Sequence, residues 1–256
     1  MFEDDFQTVS KAAKAKTSFL QKNFIGYFLA SMLAGMYVGF GVLLIFTIGG
    51  MLKGMAFSKI VMGASFGIAL SLVILAGSEL FTGNNMVMTA GMLSKTIKLS
   101  KAIKLWIVCF IGNWIGAILL AVMFYASGLL NGSTSKFIAA AAASKMNTAI
   151  LPLFFRGILC NILVCLAVWC GFKCKSESGK LIMIFWCLFA FITCGFEHSV
   201  ANMTLLTLGL LAPHKAAVSL GGYFYNISIV SLGNMVGGIL FVALPYFIIS
   251  RQKKGV

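Results

Sequence analysis

The chain has 256 residues, 60% of them hydrophobic and only 10% charged, with a formal net charge of +14. A soluble domain carries about 25% charged residues, so this chain lacks the polar side chains to cover itself in water, and one membrane domain is expected. The positive balance does not point to nucleic acid, because the basic residues flank apolar runs and form no face of their own.

The first 23 residues are polar and amphipathic, with Glu3, Asp4, Asp5, Lys11, Lys14, Lys16 and Lys22. They lack the short apolar core and small-residue cleavage site of a secretory signal. A spanning helix needs about 20 apolar residues. On that measure spans are predicted at 24–49, 57–92, 103–127, 148–172, 181–211 and 224–250. The second and fifth are too long for plain helices, and each carries a polar interruption, at Gly77–Asn85 and Gly195–Asn202. The predicted organisation is an N-terminal cytoplasmic segment (1–23), a membrane domain (24–250) and a cytoplasmic tail (251–256).

Basic residues set the orientation. Fourteen fall on one set of flanks: Lys11, Lys14, Lys16, Lys22, Lys95, Lys98, Lys101, Lys104, Lys173, Lys175, Lys180, Arg251, Lys253 and Lys254. Five fall on the other: Lys53, Lys59, Lys136, Lys145 and Lys215. Both termini are therefore expected in the cytoplasm of a cell whose inner or plasma membrane holds the protein. Trp106 and Trp169 near one edge, and Tyr125, Tyr223 and Tyr225 near the other, fit interfacial anchoring. The seven cysteines form no CxxC pair and have no histidine at ligand spacing, so they read as small apolar packing; no metal or cofactor is expected.

The chain repeats its own punctuation. A span, a broken span with Gly77-Ser78-Glu79 and a span with Gly112-Asn113-Trp114-Ile115-Gly116 are followed by a span, a broken span with Gly195-Phe196-Glu197 and a span with Gly233-Asn234-Met235-Val236-Gly237. Glutamate and asparagine are 34 residues apart in one half and 37 in the other. With three spans each, the halves (about 24–127 and 148–250) insert with opposite polarity. Inverted repeats with paired broken helices put a solute site at their interface near the midplane. Breaks at that depth require protein or a water-lined cavity to satisfy the freed backbone groups. Small-xxx-small pairs at Gly112/Gly116 and Gly233/Gly237 allow close helix approach. Asn113 and Asn234 either line a pore or brace the breaks.

Ionisable residues inside the apolar runs are Glu79, Arg156, Glu197 and His198, each a functional candidate by its cost in lipid. A carboxylate lining an anion path repels the solute, so Glu79 and Glu197 are expected to cap N–H groups where the half-helices start, with proton relay as the alternative. His198, whose unperturbed pKa is near 6.5, is either a satisfied buried histidine or a donor to a passing solute. Thr82 lies in the other break and meets His198 if the halves face each other. Arg156 either snorkels outward or serves a subunit contact or solute attraction.

Three segments carry a resemblance. Ile74-Leu75-Ala76-Gly77-Ser78-Glu79-Leu80-Phe81-Thr82-Gly83, Gly157-Ile158-Leu159-Cys160-Asn161-Ile162-Leu163-Val164-Cys165-Leu166-Ala167 and Gly195-Phe196-Glu197-His198-Ser199-Val200-Ala201-Asn202-Met203 resemble, in order, the first and second signatures and the central histidine segment of the formate/nitrite transporter family, which also contains hydrosulfide channels. The resemblance implies an all-α, aquaporin-like protomer of six transmembrane helices in two inverted repeats. It also implies a homopentamer in a lipid bilayer that passes small monovalent anions of weak acids. By position it implies a polar pore centre at Thr82, Asn161 and His198 and hydrophobic constrictions at Phe66, Leu70, Leu80, Phe81, Val164 and Phe191. It further implies anion attraction at Lys145, a pore-side Asn234, and an N-terminal segment able to gate the cytoplasmic mouth. Arg156 lies outside the family pattern. No motif separates the formate, nitrite and hydrosulfide branches; hydrosulfide is the slight preference.

The expected mechanism is concentration of the anion by lysines, protonation or hydrogen bonding of the solute at His198, and passage as a nearly neutral species, since a bare anion loses hydration at great cost. Proton-coupled secondary transport of the same anions is the alternative. An aquaporin-type facilitator needs Asn-Pro-Ala loops, and no proline here follows an asparagine. A membrane enzyme needs a metal or catalytic cluster that two histidines without paired ligands do not make.

Overall fold

The computed structural model describes residues 2–212 and 216–251. Lys215, Lys253 and Lys254 of the charge tally, and the tail beyond Arg251, lie outside the described residues. Among the described residues every regular element is helical.

Helix α1 (Phe2–Lys22) buries Phe6, Val9, Ala13, Thr17 and Leu20, a stripe at three- and four-residue spacing that leaves Lys11, Lys14 and Lys22 exposed and Lys16 half-buried. Six apolar stretches long enough to cross a bilayer follow: α2 (Phe24–Met51), Ser58–Gly77, α6 (Leu99–Ala126), α8 (Ile150–Lys173), α9 (Glu177–Cys194) and Leu220–Ser250. The second is built from α3 (Ser58–Ser65), α4 (Gly67–Ser71) and a π-helical turn at Leu72–Gly77. After three extended residues the chain resumes as α5 (Phe81–Leu93). The fifth stops at Gly195 and resumes as α10 (Ser199–Leu211). The sixth is α11 (Leu220–Gly238), a π-helical turn (Ile239–Ala243) and α12 (Leu244–Ser250).

Both breaks start at a glycine in the left-handed region, Gly77 at φ 78° and Gly195 at φ 79°, where a side chain strains the backbone. Their positions agree with the interruptions read from sequence, and the helical lengths sharpen them to Ser78–Leu80 and Gly195–His198.

The chain adds one helix that hydropathy does not reveal, α7 (Gly132–Met146), too short to cross. Its signal was local: Ala139 to Ala143 is an unbroken run of the strongest helix former.

The two halves pack alike. α2 lies along α6, and α8 along α11. A Cβ at Gly116 would overlap the Met32 carbonyl, and one at Gly237 the Ile158 carbonyl, so each small-xxx-small pair sets the backbone contact of its own half. The short arms cross over: α5 packs on α8 and α11, and α10 on α2 and α6. That exchange brings the two breaks together at the interface.

Candidate functional site

Each break is held by the same set of bonds. Asn113 Nδ2 donates to the carbonyls of Ser31 (2.7 Å) and Glu79 (2.8 Å), and its Oδ1 accepts from the N–H of Phe81 (2.9 Å). Asn234 Nδ2 donates to the carbonyls of Gly157 (2.7 Å) and Glu197 (2.9 Å), and its Oδ1 accepts from the N–H of Ser199 (2.9 Å). Glu79 N–H donates to Ala30 O and Glu197 N–H to Arg156 O, both at 3.2 Å. The asparagines therefore cap the half-helices at their starts, which corrects the expectation that the glutamates do so. A carboxylate cannot donate to a carbonyl, whereas an amide serves the carbonyls and the N–H of a break at once.

The glutamates are engaged elsewhere. Glu79 accepts from Lys16 Nζ at 2.7 Å on both oxygens, from Asn84 Nδ2 (3.0 Å) and from Tyr27 OH (3.2 Å). Glu197 Oε2 accepts from Lys145 Nζ (2.6 Å) and Asn202 Nδ2 (2.7 Å). The first lysine arrives on α1 and the second on α7, so each pairing depends on a segment outside the spans. Arg156 is exposed on α8 and meets the break through its backbone.

Three cavities lie in a row between these pairs. The first, about 450 Å³, is walled by Lys16, Phe19, Glu79, Leu70, Leu80 and Phe172, among others. The third, about 190 Å³, is walled by Lys59, Lys145, Phe66, Phe191, Phe196 and His198, among others. The middle one is only about 10 Å³ and is lined by Val38, Phe66, Leu70, Leu80, Val164, Phe191 and His198, among others. Leu70 and Leu80 are shared with the first, and Phe66, Phe191 and His198 with the third. The row is thus two vestibules joined through two apolar rings, with a central space barely enough for one water. Phe66 and Phe191 meet edge to face at 5.5 Å between ring centroids.

His198 lines the central space and the third cavity. Its Nδ1 accepts from the N–H of Ala201 (3.1 Å), as the cap of α10, and its Nε2 lies 2.9 Å from Thr82 Oγ1. A nitrogen that accepts carries no hydrogen, so the neutral ring holds its hydrogen on Nε2 and donates it to Thr82. The Thr82 hydroxyl hydrogen is left for another acceptor.

Thr82 and Asn161 stand behind His198 and line none of the three cavities. Asn161 Nδ2 donates to the carbonyls of Thr82 (3.2 Å) and Asn234 (2.7 Å). Phe81 also lies outside these walls, its ring packed against Phe110 at 5.0 Å. Asn85, which the sequence reading passed over, is fully buried beside Gly238, and neither amide atom has a partner among the described residues.

Lys145→Ala is expected to destabilise the protein by about 3 kcal/mol, the lower end for breaking a buried pair, because Lys145 is 22% exposed while Glu197 is 3% exposed. Removing both charges in Lys145→Ala/Glu197→Gln should recover most of it. Thermal unfolding in detergent reads both; equal losses in the single and double variants would show that the pair carries no such role.

The model of the family described as formate/nitrite transporter matches residues 3–248. The nitrite transporter NirC of Salmonella typhimurium is 39% identical over 248 residues, 96% of this chain and 91% of the relative. A solved structure described as an FNT family ion channel aligns with a TM-score of 0.93 at 38% identity, over 97% of this chain and 99% of that one. A pentameric formate channel with formate bound aligns with a TM-score of 0.80 at 28% identity, over 90% of this chain and 98% of that one.

Proposed function

From a chain that belongs to the formate/nitrite transporter family, a membrane transport protein and not an enzyme, we propose a channel for the small monovalent anions of weak acids, assembled as a homopentamer with a path through each protomer. The observation that carries this reading is His198 at the narrow point between two apolar rings, hydrogen-bonded to Thr82 across the interface of the repeats.

A bare anion entering the rings sheds its water at great cost, and a neutral acid sheds far less. The solute takes up a proton from water in the vestibule and reaches the rings as the acid, or as an anion already hydrogen-bonded to the protein. At the centre it displaces Thr82 as partner of the Nε2 hydrogen. Donation of a hydrogen bond fits this geometry better than a proton stored on the ring, because an imidazolium points its Nδ1 hydrogen at the N–H of Ala201. Phe66 and Phe191 swing aside for anything larger than water. The distribution of basic residues favours cytoplasmic termini, so the α1 vestibule is the inner one and the α7 vestibule the outer one. Helix α1 lies against the inner mouth, where it can gate.

Nitrite is the first solute to test, given the name of the curated relative, with formate and hydrosulfide as competitors. Uptake into proteoliposomes, each solute against protein-free vesicles, should exceed background for at least one. Equal uptake of glycerol or of a large organic anion, or no uptake of any of the three even after removal of residues 1–20, rejects the reading.

A further inference from the structure

The outer vestibule holds two lysines, and only one of them has its charge cancelled. Lys145 sits 2.6 Å from Glu197 and shares that carboxylate oxygen with Asn202, so its field is largely neutralised where it stands. Lys59, on the first turn of α3, lines the same cavity, is exposed, and makes no ion pair among the described residues. No compensation is at hand. Of the six acidic residues, Glu3, Asp4, Asp5, Glu79 and Glu177 belong to the α1 side, and Glu197, already taken, serves the α7 side. The inner vestibule differs: its lining lysine, Lys16, faces both oxygens of Glu79.

We infer that Lys59, and not Lys145, is the residue that draws the anion into the outer vestibule. The inference rests on the anion-channel reading above. An unpaired cation in a cavity with low-dielectric walls raises the local concentration of anions, and the effect fades as salt screens it. Lys145 instead holds Glu197 and the second break in place. The charge is positioned on one side, so the channel gathers its solute asymmetrically: at sub-saturating solute, uptake through the outer mouth depends on ionic strength more than uptake through the inner mouth does.

The test compares initial nitrite, formate and hydrosulfide uptake by wild type, Lys59→Gln, Lys59→Arg and Lys53→Gln, at about 0.01 M and about 0.5 M ionic strength set with an impermeant salt. The screening length falls from about 30 Å to a few Å over that range. Lys59 is exposed, so its variants are expected to fold, and gel filtration checks this. Lys59→Gln should lose about 3- to 10-fold of the low-salt rate and most of its salt dependence. Lys59→Arg should behave as wild type. Lys53→Gln removes the same charge from the neighbouring loop, off the cavity wall, and should change little. A Lys59→Gln protein with wild-type rates and salt slope overturns the inference. So does an equal loss in Lys53→Gln, which assigns the effect to net charge. Absence of flux in wild type strikes the anion-channel reading itself, a result distinct from either.

Discussion

Asn234→Leu is expected to lower stability by at least about 2 kcal/mol. Two buried backbone groups of the break depend on its side chain, the carbonyl of Glu197 and the N–H of Ser199, and the Gly157 carbonyl inside α8 loses a second partner. Leucine keeps the branched shape at a larger volume and supplies none of the bonds. Each orphaned group costs about 1–3 kcal/mol, and no water reaches a site of 0% exposure to repair it. Asn234→Asp keeps the acceptor for Ser199 and loses both donors, so it should fall between. Asn113→Leu should match Asn234→Leu, because its three bonds are the same in kind and length. Thermal unfolding of the detergent-solubilised variants measures all three, and an unchanged midpoint in Asn234→Leu contradicts this account of the break.

His198→Phe is expected to reduce anion flux by about 10- to 100-fold. A hydrogen bond to a charged group contributes about 1.5–3 kcal/mol, and each 1.36 kcal/mol on a barrier is tenfold in rate. Phenylalanine preserves the ring that stacks on Phe191 at 6.1 Å between centroids, and removes both nitrogens. The variant also loses the cap on Ala201, at about 1 kcal/mol. His198→Asn separates the two effects: asparagine is a strong N-cap but is too short to reach the central space. It should restore stability without restoring flux. Recovery of flux in His198→Asn assigns the histidine to folding alone.

Hydropathy made the spans legible, since lipid tolerates few interruptions and each one stood out against an apolar background. The matched Gly-Ser-Glu and Gly-Phe-Glu breaks and the Gly-Asn-x-x-Gly pairs gave the repeat for the same reason. The partners were not legible. Lys16 and Lys145 lie 63 and 52 residues from the glutamates they hold, and nothing local marks either as a pair. The charge of the glutamates points to the helix starts, but the asparagines 34 and 37 residues on hold those groups, and the glutamates hold lysines instead. Helix α7 escaped because it is moderately polar and does not span. Thr82 and Asn161 were found by position, but their placement behind His198 depends on how α5 crosses onto α8, which only three-dimensional packing decides.

The central claim is that the solute crosses the apolar rings with its charge masked by a proton or hydrogen bond. The most direct test is the initial rate of nitrite and formate uptake into proteoliposomes at an outside pH of about 5.5 and about 7.5, with the inside held at about 7.5. Masking by a proton predicts faster uptake at the acid outside pH, accompanied by alkalinisation of the outside medium, and masking by either means predicts that His198→Phe loses most of the flux at both values. A rate independent of outside pH, with no proton moving alongside the anion and with His198→Phe as fast as wild type, contradicts it.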